Sequence, residues 1–241
     1  PSFIEMAPFL YQESYGSAQI RGNADLQNGY NYNIDLRYEL FEKNGDMLSI
    51  TAYYKHLKAP IERVQTLSGG SAVHSFRNAD NGMATGVEIE FRKEIVKDLR
   101  FGVNGSYMYT NVKLPEGGAY TNSQRALQGA SPYLANADLT YSPAFSNDRQ
   151  LSVALLYNLQ GPRIHSVGIS GLGDIKQQPV HTLNFTGSYR FNRRFAVKLQ
   201  VNDLLNQDIL FKQEVPTTGD KVEVERFRKG TGFEVGFSYD L

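Results

Sequence analysis

What most limits the folds open to this chain is a period-2 beat of apolar and polar residues, repeated nine times along its 241 residues. The first stretch alternates Tyr30, Tyr32, Ile34, Leu36, Tyr38 and Leu40 with Asn31, Asn33, Asp35, Arg37 and Glu39. The beat returns over Leu48–Lys55, Val87–Arg92, Leu99–Thr110, Tyr133–Tyr141, Leu151–Gln160, Leu183–Phe191, Phe195–Asn202 and Phe233–Leu241. Successive side chains of a strand point to opposite faces, so each stretch presents one apolar and one polar face. Most stretches run about 10 to 13 residues, whereas soluble strands average about 5 to 6 and a tilted strand crossing a bilayer needs about 9 to 11. The pattern predicts an all-β, antiparallel sheet of about nine strands, long enough to form part of a transmembrane β-barrel.

The connections between these stretches fall into two classes that alternate strictly. Glu42–Asp46, Val96–Asp98, Phe145–Arg149 and Asn192–Arg194 are short; Ala59–Met83, Val112–Ser131, Gly161–Pro179 and Asn206–Gly230 are long. Short turns at one rim and long loops at the other are the layout of outer-membrane barrels, and the long loops read as structureless external segments. Composition then decides which face is wet. Arg37, Glu39, Glu88, Glu90, Arg92, Arg190 and Lys198 all fall on the polar phase; such bulky charges suit a wide hydrated lumen, where they solvate the wall and pair across strands. Tyrosines gather near strand ends, as in the aromatic girdles of membrane interfaces. The mean hydropathy of −0.41 is expected when only alternate residues meet lipid.

Other classes are excluded on simple grounds. With 25 basic and 25 acidic residues, the chain has no basic excess to attract nucleic acid. With no cysteine, it has no disulfide framework, thiolate metal site or cysteine nucleophile. Nine strands are an odd number, bacterial single-chain barrels have even counts, and an open edge in hydrocarbon leaves backbone groups unpaired. The chain is therefore read as a segment of a larger barrel. The lack of a signal peptide before Pro1 is read the same way, as a cut end inside a longer precursor. Residues 1–27 are expected to be an external loop leading into the barrel, and residues 28–241 its C-terminal strands.

The segments Phe3–Phe9, Gly22–Leu26 and Asp35–Glu39 resemble the mid-barrel of TonB-dependent outer-membrane receptors of Bacteroidetes type. Leu48–Lys55 with Pro60-Ile61-Glu62, then Gly86–Lys93, then Val201-Asn202-Asp203-Leu204-Leu205-Asn206, continue the resemblance in the family's order, and Gly232–Leu241 looks like the terminal strand. The chain departs from the family at Leu241, where an aromatic residue is usual. The resemblance implies a 22-stranded barrel around an N-terminal plug, of which this chain would hold the last nine strands. It also implies import of a scarce solute (iron chelate, cobalamin or oligosaccharide) across outer-membrane lipid in a Gram-negative bacterium. Energy would come from the TonB complex acting through the missing N-terminal part, and a surface lipoprotein is a further partner some relatives would have. The alternatives are a passive porin-type channel, which needs no plug, and a soluble β-barrel or sandwich binding protein.

No catalytic, metal or cofactor site is expected. His56, His74, His165 and His181 lack ligand spacing, and His181 falls on the lipid-facing phase near a strand end. Asn78, Asp80 and Gly82 fall short of a calcium loop, and Ser146, Asn147 and Asp148 are ordinary turn residues. Gly168–Gly173 reads as a flexible glycine-rich loop, since no strand–helix unit surrounds it. Ser152, Ser188 and Ser238 sit on the polar phase and Ser166 is the neighbour of His165, so neither pattern makes a hydrolase triad. Solute contacts are expected from the long loops, with Arg63, His74, Arg77, Tyr120, Arg125, Arg163 and His165 as the candidates.

Overall fold

The computed structural model describes residues 1–12, 19–42, 44–68, 71–116, 120–145 and 148–239. Ser146 and Asn147 of the third short turn, and the terminal Asp240 and Leu241, lie outside the described residues. In chain order the elements are α1 (Phe3–Met6), β1 (Leu10–Gln12), β2 (Gln19–Arg21), β3 (Tyr30–Phe41), β4 (Met47–Lys58), β5 (Ile61–Ser68), β6 (Ser71–Asn78), β7 (Asn81–Val96), β8 (Leu99–Lys113) and β9 (Gln124–Arg125). They continue with β10 (Tyr133–Tyr141), β11 (Gln150–Gln160), β12 (Arg163–Ser166), β13 (Ile175–Gln177), β14 (Val180–Arg190), β15 (Phe195–Asn202), β16 (Ile209–Val215), β17 (Asp220–Phe227) and β18 (Gly232–Tyr239).

The nine alternating stretches form one antiparallel wall, ordered β18-β15-β14-β11-β10-β8-β7-β4-β3, with the short β9 paired to β8. Pairing keeps the two phases on separate faces across the strands. Leu36, Ala52, Val87, Tyr107 and Tyr133 stand opposite one another in turn on the apolar face. Glu39, Ser49, Glu90, Asn104, Asn136 and Asn158 do so on the polar face. The wall has no dry interior. Ile34 is 73% exposed and Phe233 75%, and Phe101, Val153, Phe185 and Val235 are all absent from the buried hydrophobic residues. An apolar face left this open in a folded chain is the arrangement of a sheet solvated by lipid. The wall does not close on itself: β3 and β18 are its edges.

Aromatic residues mark both rims. At the long-loop rim the Tyr157 hydroxyl lies 2.6 Å from His181 Nδ1, so His181 sits on the apolar face in an interfacial pair. At the short-turn rim Tyr189 packs edge-on against Phe191 with centroids 4.7 Å apart, and Phe191 lies tilted against Phe195 at 5.3 Å. The short turns use their side chains as the sequence suggests. Asn192 Oδ1 accepts from the amides of Arg194 and Phe195, both at 2.9 Å, and Gly45 (φ +80°) and Asp98 (φ 66°) supply left-handed residues.

The long connections are not structureless. The β5–β6 hairpin continues the β4–β7 pairing past a bend at Ala59 (φ 51°), and β2 joins it in parallel through Ile20 and His74. β12, β13, β16 and β17 form a four-stranded sheet. Its order repeats that of β11, β14, β15 and β18, the wall strands each adjoins in the chain. At this end the described residues make a conventional core: Val64, Ala79, Val112 at the end of β8 and Leu114 pack together, with Tyr120 and Leu127 against them. Gly168–Gly173 is a packed turn rather than a flexible loop. The Gly168 amide donates to Asp174 Oδ1 at 2.9 Å, Val167, Gly168 and Ile169 are buried, and Tyr120 bridges to Ile169.

Candidate functional site

The long loops meet in a layer at one end of the wall, and several charged residues of that layer are engaged there. Glu62 of β5 and Arg125 of β9 form an ion pair of 2.9 Å with both side chains only 3% exposed. Arg125 also donates to the Ala126 carbonyl at 3.2 Å. Glu62 accepts the Gln128 amide at 3.4 Å, and the Gln128 side chain donates to the His165 carbonyl at 2.6 Å. Burial pushes the Glu62 carboxyl above its ordinary range; the neighbouring guanidinium and the Gln128 amide only partly offset it. A second contact runs alongside: Arg63 Nε donates to His74 Nδ1 at 2.9 Å, Gln65 lies 3.2 Å from His74 Nε2 and donates to Ser166 Oγ.

Hollows flank this network. One of about 600 Å³ is lined by Tyr109, Arg125, Arg163, Ile164, Asp174 and Lys176 among others. A neighbouring one of about 610 Å³ shares Asp174 and Lys176 and adds Lys212, Glu214 and Lys221. On the opposite face of the β12–β13–β16–β17 sheet, His165, Phe211 and Phe227 make an aromatic row, with His165–Phe211 centroids 4.7 Å apart and Phe211–Phe227 stacked at 6.0 Å. Basic groups outnumber acidic ones around the first two hollows, so both favour an anionic or polar guest over an apolar one.

Of the residues expected to meet solute, Arg63, Arg163 and His165 line a smaller hollow of about 290 Å³ together with Glu62 and Gln128. His74 and Arg125 are buried within the network, Arg125 against the wall of the hollow of about 600 Å³. Arg77 lies opposite Glu62 in the hairpin register. Tyr120 is half-buried against the core, its hydroxyl without a partner among the described residues. Glu62, Gln65, Gln128 and Ser166 were not among the expected site residues. Each is a single polar residue in a loop, and only pairing across long sequence separations gives it meaning. Asn78, set aside as a calcium ligand, clips the first hairpin instead: it accepts from the Gln27 amide and donates to the Gln27 and Ala59 carbonyls.

On the wall below, the polar face carries a ladder of amides. Asn158 donates to Asn136 at 2.5 Å and Asn136 to Asn104 at 2.7 Å. Arg37–Glu39 and Arg92–Glu90 pair along their own strands at 2.6 and 2.5 Å. Tyr53 lies across Gly86, where a Cβ would fall 2.6 Å from its hydroxyl, and Lys55 Nζ sits 5.3 Å over the same ring.

Comparison with known structures finds the same fold in siderophore receptors. A variant of the ferric enterobactin receptor of Pseudomonas aeruginosa, in complex with enterobactin, matches 99% of this chain with 36% of its own, at TM-score 0.64 and 18% identity. The siderophore receptor PirA of Acinetobacter baumannii matches 92% with 33% of its length, at TM-score 0.60 and 16% identity. The ferric yersiniabactin uptake receptor FyuA of Yersinia pestis matches 88% with 30%, at TM-score 0.59 and 16% identity. This chain thus spans about a third of the receptors it matches. No curated protein sequence matches it. A family model described as the outer membrane protein β-barrel family matches residues 1–239. With a two-phased wall, aromatic rims and a match over nearly its whole length, the chain belongs to the outer membrane protein β-barrel family and resides in the outer membrane.

Proposed function

We propose that the chain is the C-terminal part of the barrel of a TonB-dependent receptor of Bacteroidetes type. In this reading it imports a scarce solute, and residues 1–27 and the long loops face the outside. The observation that carries this reading is the pairing of an open polar wall with a packed loop layer above it, in which basic groups outnumber acidic ones around the two larger hollows. A lumen lined by Arg37, Glu39, Glu90 and the asparagine ladder offers a wet path. The open edges at β3 and β18 call for further strands, because unpaired backbone is costly in lipid. The likeness to siderophore receptors supports an iron chelate as the load, and the basic hollows suit its negative charge; cobalamin and oligosaccharides are the alternative loads. TonB would act through an N-terminal plug, and a surface lipoprotein would cap the loops.

The test is uptake by cells carrying the full-length protein, with radiolabelled ferric enterobactin, cobalamin and maltoheptaose as probes. One of the three is expected to accumulate, and uptake is expected to fall at least tenfold when a protonophore removes the energy source. Uptake unaffected by the protonophore would identify a passive channel instead.

A further inference from the structure

The Glu62–Arg125 pair is an odd device if its role were stability alone. Both side chains are nearly inaccessible, yet Arg125 Nε and Nη2 and Gln128 Oε1 are buried without partners among the described residues. An ion pair so poorly satisfied is a weak stabiliser compared with apolar packing, and its best-attested use is to fix one arrangement among several. Its position fits that use. Glu62 belongs to the first long loop, Arg125 and Gln128 to the second, and Gln128 reaches the His165 carbonyl of the third. The Gly129 amide also donates to the Ile164 carbonyl at 3.0 Å, and Gln65 of the first loop reaches Ser166 of the third directly.

We infer that Glu62 is a positioning residue that locks the first three long loops into one unit, so that Arg63, Arg163 and His165 are held in a fixed constellation. A solute touching any one loop would then be felt by all three, and the loops would move together or not at all. The inference rests on the reading of these loops as a capture layer. Its test needs no solute, so its failure would leave the transport reading standing.

The chain has no cysteine of its own, so the two introduced cysteines are the only pair within residues 1–241, and any cysteine outside them is first replaced by serine. In the full-length protein in native membranes, Gln65→Cys with Ser166→Cys is expected to form a disulfide in most molecules. Adding Glu62→Gln is expected to cut that yield several-fold and to speed exchange of the Gly129 amide at least tenfold. Residue 62 touches neither cysteine position by any bond described above, so a purely local role would leave the cross-linking yield unchanged; the Gly129 amide, next to the Gln128 amide that Glu62 accepts, reports that the local bond is lost. Heat-modifiable migration on gels checks that the barrel still assembles. Should Glu62→Gln prevent assembly, Gln128→Ala decides: it keeps both charges and severs only the side-chain bond from residue 128 to the His165 carbonyl. It is expected to free the Gly129 amide while leaving the β5–β6 amides protected. Wild-type cross-linking and exchange in an assembled variant would overturn the inference.

Discussion

The wall and the loop layer are built on opposite rules within one chain. The wall keeps its oily residues outside, where Ile34 and Phe233 stand open, and has no core. The loop layer keeps them inside, where Leu114 is 0% exposed among Val64, Ala79 and Val112. The difference follows from solvent. In lipid an exposed leucine costs nothing and an unpaired backbone group costs a great deal, so regular pairing alone suffices. In water the same leucine must be covered, so the loops acquire a core and a reason to pack together.

The sharpest way to break this comparison is to remove one leucine from each region. Leu114→Ala leaves a cavity where nothing can refill it and is expected to destabilise the loop layer by about 2 to 5 kcal/mol. Hydrogen exchange should show β5, β6 and β9 opening while the wall stays protected. Leu36→Ala, on an open apolar face, should change urea stability far less.

A charge placed on alternate residues of one strand comes next. Leu155 lies on the apolar face opposite Phe185, and Ala154 on the polar face opposite Thr186. Leu155→Arg is expected to cost about 2 to 4 kcal/mol near the bilayer midplane. Ala154→Arg should cost much less, its guanidinium being hydrated in the lumen. The assembled fraction in membranes, read by heat-modifiable migration, measures both. Equal losses at the two positions would mean that the faces had been assigned wrongly.

These two regions were also unequally legible in the sequence. All nine wall strands were readable, because a strand that separates lipid from water must alternate without a break along its whole length. Only their ends were blurred: the stretch seen at Val87–Arg92 extends to Asn81–Val96 as β7, where Asn81, Thr85 and Lys93 interrupt the apolar beat. Most loop strands were missed for want of a clean beat: β1, β2, β9, β12 and β13 have only two to four residues, and the β5–β6 hairpin mixes apolar and polar residues on both phases. The run Val222-Glu223-Val224-Glu225 did carry a strand signal, and it became β17. The site was less legible still. Arg125 was picked as a loop cation, but its partner Glu62 lies 63 residues earlier in sequence (125 − 62), and nothing local marks two such residues as a buried pair.

A smaller effect separates the wet face of the wall from an apolar core. Asn136 donates to Asn104 and accepts from Asn158, linking three strands on the polar face. Asn136→Ala removes both bonds, but water can replace them in an open lumen, so a loss of about 1 kcal/mol is expected. A loss of several kcal/mol in urea unfolding would mean that this part of the lumen is dry.

The smallest effect lies in the outermost hairpin and concerns pH. Asp208 is held below the ordinary carboxylate range chiefly by the hydrogen bond from Arg228, with Arg226 adding to it. Glu223 is held low by its bond from Arg226. A carboxylate whose folded value is depressed contributes stability above its unfolded value, near 4, and loses it as pH falls through the lower folded value. The β16–β17 hairpin should therefore loosen only below about pH 4, seen as faster exchange of its amides. These groups are open to solvent, so the effect should shrink further in high salt. Asp208→Asn should abolish most of the pH response while leaving the wall and the Leu114 core untouched, because neither carries a carboxylate of this cluster.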